Sequence, residues 1–199
     1  MDNKPFSQAC ENNKLPILEV LQRHLTTPAS LLEVGSGTGQ HAAFFSGQLP
    51  HIQWHPSDVA DNLTGIRAWC DEAGHPNLHA PISFDVTQQN AVPGPRDHLF
   101  SANTLHIMSW PAVAAFFERV PALVKPTGYV IIYGPFKYNG EFTSDSNARF
   151  DLWLKARGAH QGIRDFEAIA SLATQAGLRW VEDVRMPANN QTLVWQKAP

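Results

Sequence analysis

The sequence is poor in cysteine, in charge and in long apolar runs, and each shortage removes a class of protein. Two cysteines, Cys10 and Cys70, occur in 199 residues. They lie far apart and form neither a Cys-x-x-Cys pair nor a Cys/His zinc spacing, so they provide no disulfide framework and no metal site. A reducing, cytoplasmic setting is expected. Charged residues make up 17% of the chain and the formal net charge is -3, which leaves no basic face for nucleic acid. No apolar run approaches the roughly 18 residues that span a bilayer, and no charged-then-apolar leader opens the sequence. Repeats, linkers and low-complexity stretches are absent, and the length suits one domain over 1–199.

What is present is organised around Leu31-Leu32-Glu33-Val34-Gly35-Ser36-Gly37-Thr38-Gly39-Gln40, an apolar run that ends in an acid and breaks into three alternating glycines. Residues without Cβ take positive φ and let backbone approach a ligand closely, so this reads as a strand ending in a nucleotide-binding turn. A dinucleotide fingerprint needs a third glycine where Gln40 stands, and no Gly-Lys-Ser/Thr follows, so NAD and the phosphate-binding P-loop are disfavoured. The remaining pattern, acid-x-Gly-x-Gly-x-Gly, is the first motif of Rossmann-like methyltransferases that use S-adenosylmethionine.

The other elements fit that order. Leu15, Ile17, Leu18, Leu21 and Leu25 recur at helical spacing within an N-terminal segment, 1–28, expected to cover the cofactor as a lid and helix. Phe6, Cys10, Asn12 and Asn13 become its candidate pocket residues. Gln40 onward is a helix whose first amides face the ligand. Ile52–Asp58 is a second strand, and Asp58, 19 residues after Gly39, stands where such folds place a carboxylate on ribose hydroxyls. Ile82–Val86 is a short third strand carrying Asp85, either a partner of the adenine amine or a cap for the next turn. Gln88–Arg96 is a loop. Asn103 and His106 follow the fourth strand, Asp97–Asn103, and point to the chemistry, His106 as a general base near neutrality. Tyr129–Pro135 is the fifth strand, and 136–165 reads as a substrate loop and helix insertion, irregular as far as Arg149. Arg179–Val184 and Thr192–Gln196 form a closing antiparallel pair.

The ordered set Gly37-Thr38-Gly39-Gln40-His41-Ala42, Trp54-His55-Pro56-Ser57-Asp58, Asp85-Val86-Thr87, Asn103 with His106, Tyr133-Gly134-Pro135-Phe136, Gly162-Ile163-Arg164-Asp165 and Met186-Pro187-Ala188-Asn189-Asn190 resembles the methyltransferase family catalogued as domain of unknown function 938, of the methyltransferase-like 26 type. The resemblance implies an α/β, Rossmann-like class I methyltransferase with a seven-stranded, mostly parallel sheet, helices on both faces and an antiparallel C-terminal strand. Where the family usually shows Glu-Arg-Asn, this chain has Glu11-Asn12-Asn13, which removes a bidentate cation. Where relatives often carry alanine, it has Gly35.

The expected function is methyl transfer from S-adenosylmethionine to a small molecule, by a monomer or homodimer, with no metal, nucleic acid or membrane. Glu33, Gly35, Ser36, Gly37, Gly39, Asp58, Asp85, Val86, Asn103 and Asn13 are assigned to the cofactor, and Asn103 and His106 to catalysis. Tyr133, Phe136, Tyr138, Asn147, Arg164 and Asn190 are assigned to the acceptor pocket, with Arg164 either clamping an anion or pairing with Asp151 or Asp165. A non-catalytic cofactor-binding module and a protein methyltransferase are the alternatives. The Asn-Pro-Pro-aromatic motif expected for exocyclic amines of bases is missing, since Thr104-Leu105-His106 follows Asn103.

Overall fold

The computed structural model describes residues 4–88 and 92–199. The strands are β1 (Ala29–Val34), β2 (Ile52–Asp58), β3 (Ile82–Ser83), β4 (His98–Ala102), β5 (Tyr129–Gly134), β6 (Phe136–Tyr138), β7 (Glu141–Phe142), β8 (Arg164–Asp165), β9 (Leu178–Met186) and β10 (Asn190–Lys197). The helices are α1 (Gln8–His24), α2 (Gln40–Gln48), α3 (Leu63–Ala73), α4 (Trp110–Leu123), α5 (Asp145–Arg157) and α6 (Phe166–Gln175). Seven strands form one sheet in the order β3-β2-β1-β4-β5-β10-β9. β10 runs antiparallel to both neighbours, and the other pairings are parallel. This is the mostly parallel α/β sheet expected of the sequence.

Successive side chains of a strand point to opposite faces, and here both faces are covered. Leu31, Phe100, Ile131 and Val194 pack with Ile17 and Leu21 of α1 and Phe45 of α2. Their neighbours Leu32, Leu99, Ile132 and Leu193 pack on the other face with Val113, Phe116 and Phe117 of α4 and Ile169 of α6. Each such burial contributes roughly 1.5–3 kcal/mol. The order of strands reverses between β1 and β4, so the loops leaving their C-terminal ends diverge and open a crevice. Gly35–Gly39 enters it from β1 and Asn103 from β4.

Several local expectations change. α1 begins at Gln8, before the apolar repeat, because the Ser7 hydroxyl caps it by accepting from the Cys10 N–H. The third strand stops at Ser83 rather than Val86, and Asp85 and Val86 lie beyond it. Of the loop at Gln88–Arg96, residues 89–91 lie outside the described residues, and Arg96 forms an isolated bridge to Val124. The stretch after Phe136 is not irregular: β6 and β7 form a hairpin around Asn139 and Gly140, both at positive φ, and β8 joins them in a second sheet of order β7-β6-β8. α5 then starts at Asp145, capped by Ser144, instead of at Phe150.

Candidate functional site

The glycine turn is tied to the end of β2. The N–H groups of Gly35 and Ser36 donate to the Ser57 carbonyl at 2.9 and 3.0 Å, and the Ser57 N–H donates to Ser36 Oγ at 3.1 Å. Gly35 has φ +77°, and a Cβ there would lie 2.6 Å from Thr104 Cγ2. Gly39 has φ +93°, and a Cβ there would lie 2.8 Å from Ile66 Cα. The protein's own packing therefore demands these two glycines. Gly37 is different: at φ +59° a Cβ would meet nothing within 4 Å, so this residue fronts open space.

Asp58 closes the turn from the side. Its Oδ2 accepts from the Gly37 N–H at 2.7 Å, and its Oδ1 accepts from the Val59 N–H at 2.7 Å and Asn62 Nδ2 at 2.9 Å. Beneath the turn lies Glu33, 1% exposed, whose Oε2 accepts from the Trp54 indole at 2.9 Å. Burial pushes its carboxyl up to about 7, against the opposing hydrogen bonds from Trp54 and Ser36.

The N-terminal segment lies over this turn. Gln40, the residue that breaks the dinucleotide pattern, accepts at Oε1 from the Ser7 N–H at 2.5 Å and donates through Nε2 to Glu11 Oε1 at 3.0 Å. His41 Nε2 donates to Asn13 Oδ1 at 2.7 Å, because an amide oxygen only accepts. Desolvation pushes that imidazole down to about 4, so it is neutral at pH 7. Asn13 is thereby oriented, and its side chain and that of Asn190 both bond the Tyr133 hydroxyl, whose pKa is raised chiefly by burial. Cys10 neighbours Ser7 and Thr38, whereas Phe6 is 62% exposed.

Asp85 acts as a turn cap: its Oδ1 accepts from the Thr87 N–H and hydroxyl at 2.9 and 2.7 Å. Those bonds, led by the hydroxyl, hold its carboxyl below the usual range. The Val86 side chain is buried in the core.

Beyond the ends of β4 and β5 opens a cavity of about 420 Å³. Asn103 and Tyr133 line it from the strand ends, Asn12 and Asn13 from α1, Asn147 and Phe150 from α5, and Asn190 from the start of β10. Asn103 holds the left-handed conformation, φ 57°, uncommon for a residue with Cβ though tolerated best by asparagine. Its N–H donates to the Tyr133 carbonyl at 2.9 Å, which couples the ends of the two strands.

Six residues singled out from sequence, Asn12, Asn13, Asn103, Tyr133, Asn147 and Asn190, thus meet in one cavity. Four others stand elsewhere. Phe136 is 1% exposed and belongs to the apolar core. Tyr138 stacks on Phe166 and donates to Asp183, in a neighbouring cavity of about 450 Å³ that also contains Arg185 and shares Asn189 and Asn190. Arg164 lines neither this cavity nor its neighbour and forms neither expected ion pair: it donates to the carbonyls of Leu105, Met108 and His160 and so fastens the loop after β4. Asp151 pairs with Lys155 instead. His106 is 6% exposed and packs edge-on against Phe150, one ring behind the cavity wall. Burial, aided by Arg164, pushes its pKa down to about 4. Ala9, Pro135, Ser146, Phe150 and Pro187–Asn189 complete the wall; several of them stand in the family motifs, but none was assigned to the site from sequence, nor was Gln40 as the anchor of the N-terminal segment.

The family described as protein of unknown function (DUF938) matches residues 4–197. The chain belongs to the DUF938 family. Solved structures agree on the fold of this DUF938 protein. An O-methyltransferase family protein from Burkholderia thailandensis matches with a TM-score of 0.81 and 17% identity over 93% of this chain and 56% of that one. An O-methyltransferase family 2 protein from Planctomyces limnophilus, solved in complex with apigenin, matches with a TM-score of 0.82 and 18% identity over 96% of this chain and 58% of that one. CalO1, a methyltransferase of calicheamicin biosynthesis in its SAH-bound form, matches with a TM-score of 0.72 and 18% identity over 93% and 54%. The DUF938 chain spans little more than half the length of these structures. Its fold is that of the Rossmann-like methyltransferases. No helix among the described residues is long and apolar enough to cross a membrane.

Proposed function

We propose that this DUF938 protein is an S-adenosylmethionine-dependent methyltransferase acting on a small molecule. The observation that carries the proposal is the placement of the cavity, which opens at the ends of β4 and β5 beside the glycine turn, under a lid that Gln40 and His41 fasten. A cavity of a few hundred Å³ suits a small molecule better than a polypeptide, which would need a groove.

The residues fit the cofactor. Open space in front of Gly37 leaves room for a ligand against the backbone. A carboxylate has about four acceptor positions, and the protein donors on Asp58 number three, Gly37, Val59 and Asn62, so Asp58 retains capacity for a ribose hydroxyl. Asp85 and the Val86 backbone are assigned to adenine, and Asn103 and Asn13 to the methionine end.

When bound, S-adenosylmethionine would supply an electrophilic methyl group on a positively charged sulfur that becomes a neutral thioether on leaving. The chain's residues position the acceptor and exclude water. Asn103 and the Tyr133 hydroxyl hold it at the strand ends, and α1 with Phe150 shields it. The acceptor's proton must leave to solvent; His106, neutral and behind the cavity wall, backs the Phe150 ring and does not meet the acceptor. The names of the structural neighbours, O-methyltransferases and one apigenin complex, support a small organic acceptor. Free Cys10 and Cys70 support a reducing, cytoplasmic setting. The test is incubation of cell extract with methyl-labelled S-adenosylmethionine. Label in a small-molecule fraction is expected, and label confined to protein would overturn the reading.

A further inference from the structure

We propose that the acceptor is an uncharged molecule with a flat ring and hydroxyl or amide substituents, not one recognised through a carboxylate or phosphate. This rests on the methyltransferase reading above and deepens it to a substrate class. Among the described residues the cavity wall carries no lysine, arginine, histidine, aspartate or glutamate. Its polar groups are dominated by amides, from Asn12, Asn13, Asn103, Asn147, Asn189 and Asn190. An amide both donates and accepts, so such a wall matches hydroxyl and amide edges. It gives no counter-charge to an anion, and removing an unpaired anion from water is costly.

Neither of the two nearby arginines lines this wall. The Arg164 guanidinium is spent on three backbone carbonyls. Arg185 stands in the neighbouring cavity with Asp183, beyond Asn189 and Asn190. The Asn103 side chain has no hydrogen bond among the described residues, so its amide can divide its donor and its acceptor between the cofactor's methionine end and a substrate. Phe150 and Pro135 supply the apolar surfaces against which a ring lies flat.

The experiment uses a matched pair of probes, 3-hydroxybenzamide and 3-hydroxybenzoate, which share a ring and a hydroxyl and differ in charge. Their affinities are measured by saturation-transfer NMR on the full chain saturated with S-adenosylhomocysteine. The amide should bind at least about tenfold tighter, the effect of an uncompensated charge. Asn12→Arg, which adds a cation on an exposed helical position of the wall, should narrow or invert that ratio. Equal or tighter binding of the benzoate by the unaltered protein, an unchanged ratio in the variant, or binding of neither probe would overturn the proposal. A protein that discriminates the probes without binding S-adenosylhomocysteine would instead overturn the methyltransferase reading.

Discussion

Glu33 makes the stability of this protein depend on pH in a direction opposite to that of most carboxylates. It is buried under the glycine turn with one indole N–H and the Ser36 hydroxyl as partners, and its pKa rises from 4.5 to about 7 because burial disfavours the charged form. A group raised on folding leaves stability intact below its unfolded value and removes it as pH rises through the folded value. At 1.36 kcal/mol per unit, the cost of keeping Glu33 folded grows from about 1 kcal/mol at pH 5 to about 3 kcal/mol at pH 8.5. Glu33→Gln keeps an oxygen for the Trp54 indole but carries no charge. Urea denaturation of both proteins across that range should therefore show the variant gaining on the parent by about 2 kcal/mol between the two ends. Titrating groups that do not interact with Glu33 cancel in the difference. A difference that stays flat with pH, or that favours the parent at pH 8.5, would refute the assignment of a buried, proton-sharing carboxyl.

The glycines should separate stability from binding. Gly39→Ala should destabilise the fold by about 2–3 kcal/mol, because strain at positive φ adds to a clash with the α3 backbone, read as a lower thermal midpoint. Gly37→Ala should cost only about 1 kcal/mol yet weaken S-adenosylhomocysteine binding at least about tenfold, and the reverse order of effects would show that no ligand lies in front of Gly37. Asp58→Ala should reduce the same affinity about tenfold or more, the value of a charge-assisted hydrogen bond, and unchanged calorimetric affinity would remove it from the cofactor site. Arg164→Lys should not rescue the roughly 2 kcal/mol lost in Arg164→Leu, since an ammonium lacks the planar fork that reaches several carbonyls; equal stability of the lysine variant and the parent in urea would refute the clamp.

Periodicity and turn chemistry made the main sheet legible. Leu31-Leu32, Phe100 and Tyr129–Tyr133 alternate between two covered faces, and runs of that kind read directly as buried parallel strands. The acid and three glycines made the turn after β1 legible for the same reason, since only a few turns require that composition. The hairpin β6–β7 was equally readable: Asn139-Gly140 between Tyr138 and Phe142 is the strongest short hairpin signal there is, and the polar residues after it obscured the signal. The cavity was legible in part. Asn103, Tyr133 and Asn190 sit at strand ends, which the topology brings together. Phe136 and Arg164 share that neighbourhood in sequence, but one side chain turns into the core and the other onto carbonyls, a choice made by packing between distant segments. Gln40 was read for what it prevents, a dinucleotide turn. Its bonds to Ser7 and Glu11 depend on a helix that precedes it by about thirty residues and leaves no local pattern.

The central claim is that the turn at Gly35–Gly39, with Asp58, holds S-adenosylmethionine. Isothermal titration of the full chain with S-adenosylmethionine and with S-adenosylhomocysteine tests it most directly. Saturable one-to-one binding of both is expected, lost or strongly weakened in Asp58→Ala. Absence of heat and of any thermal shift with either ligand would contradict it.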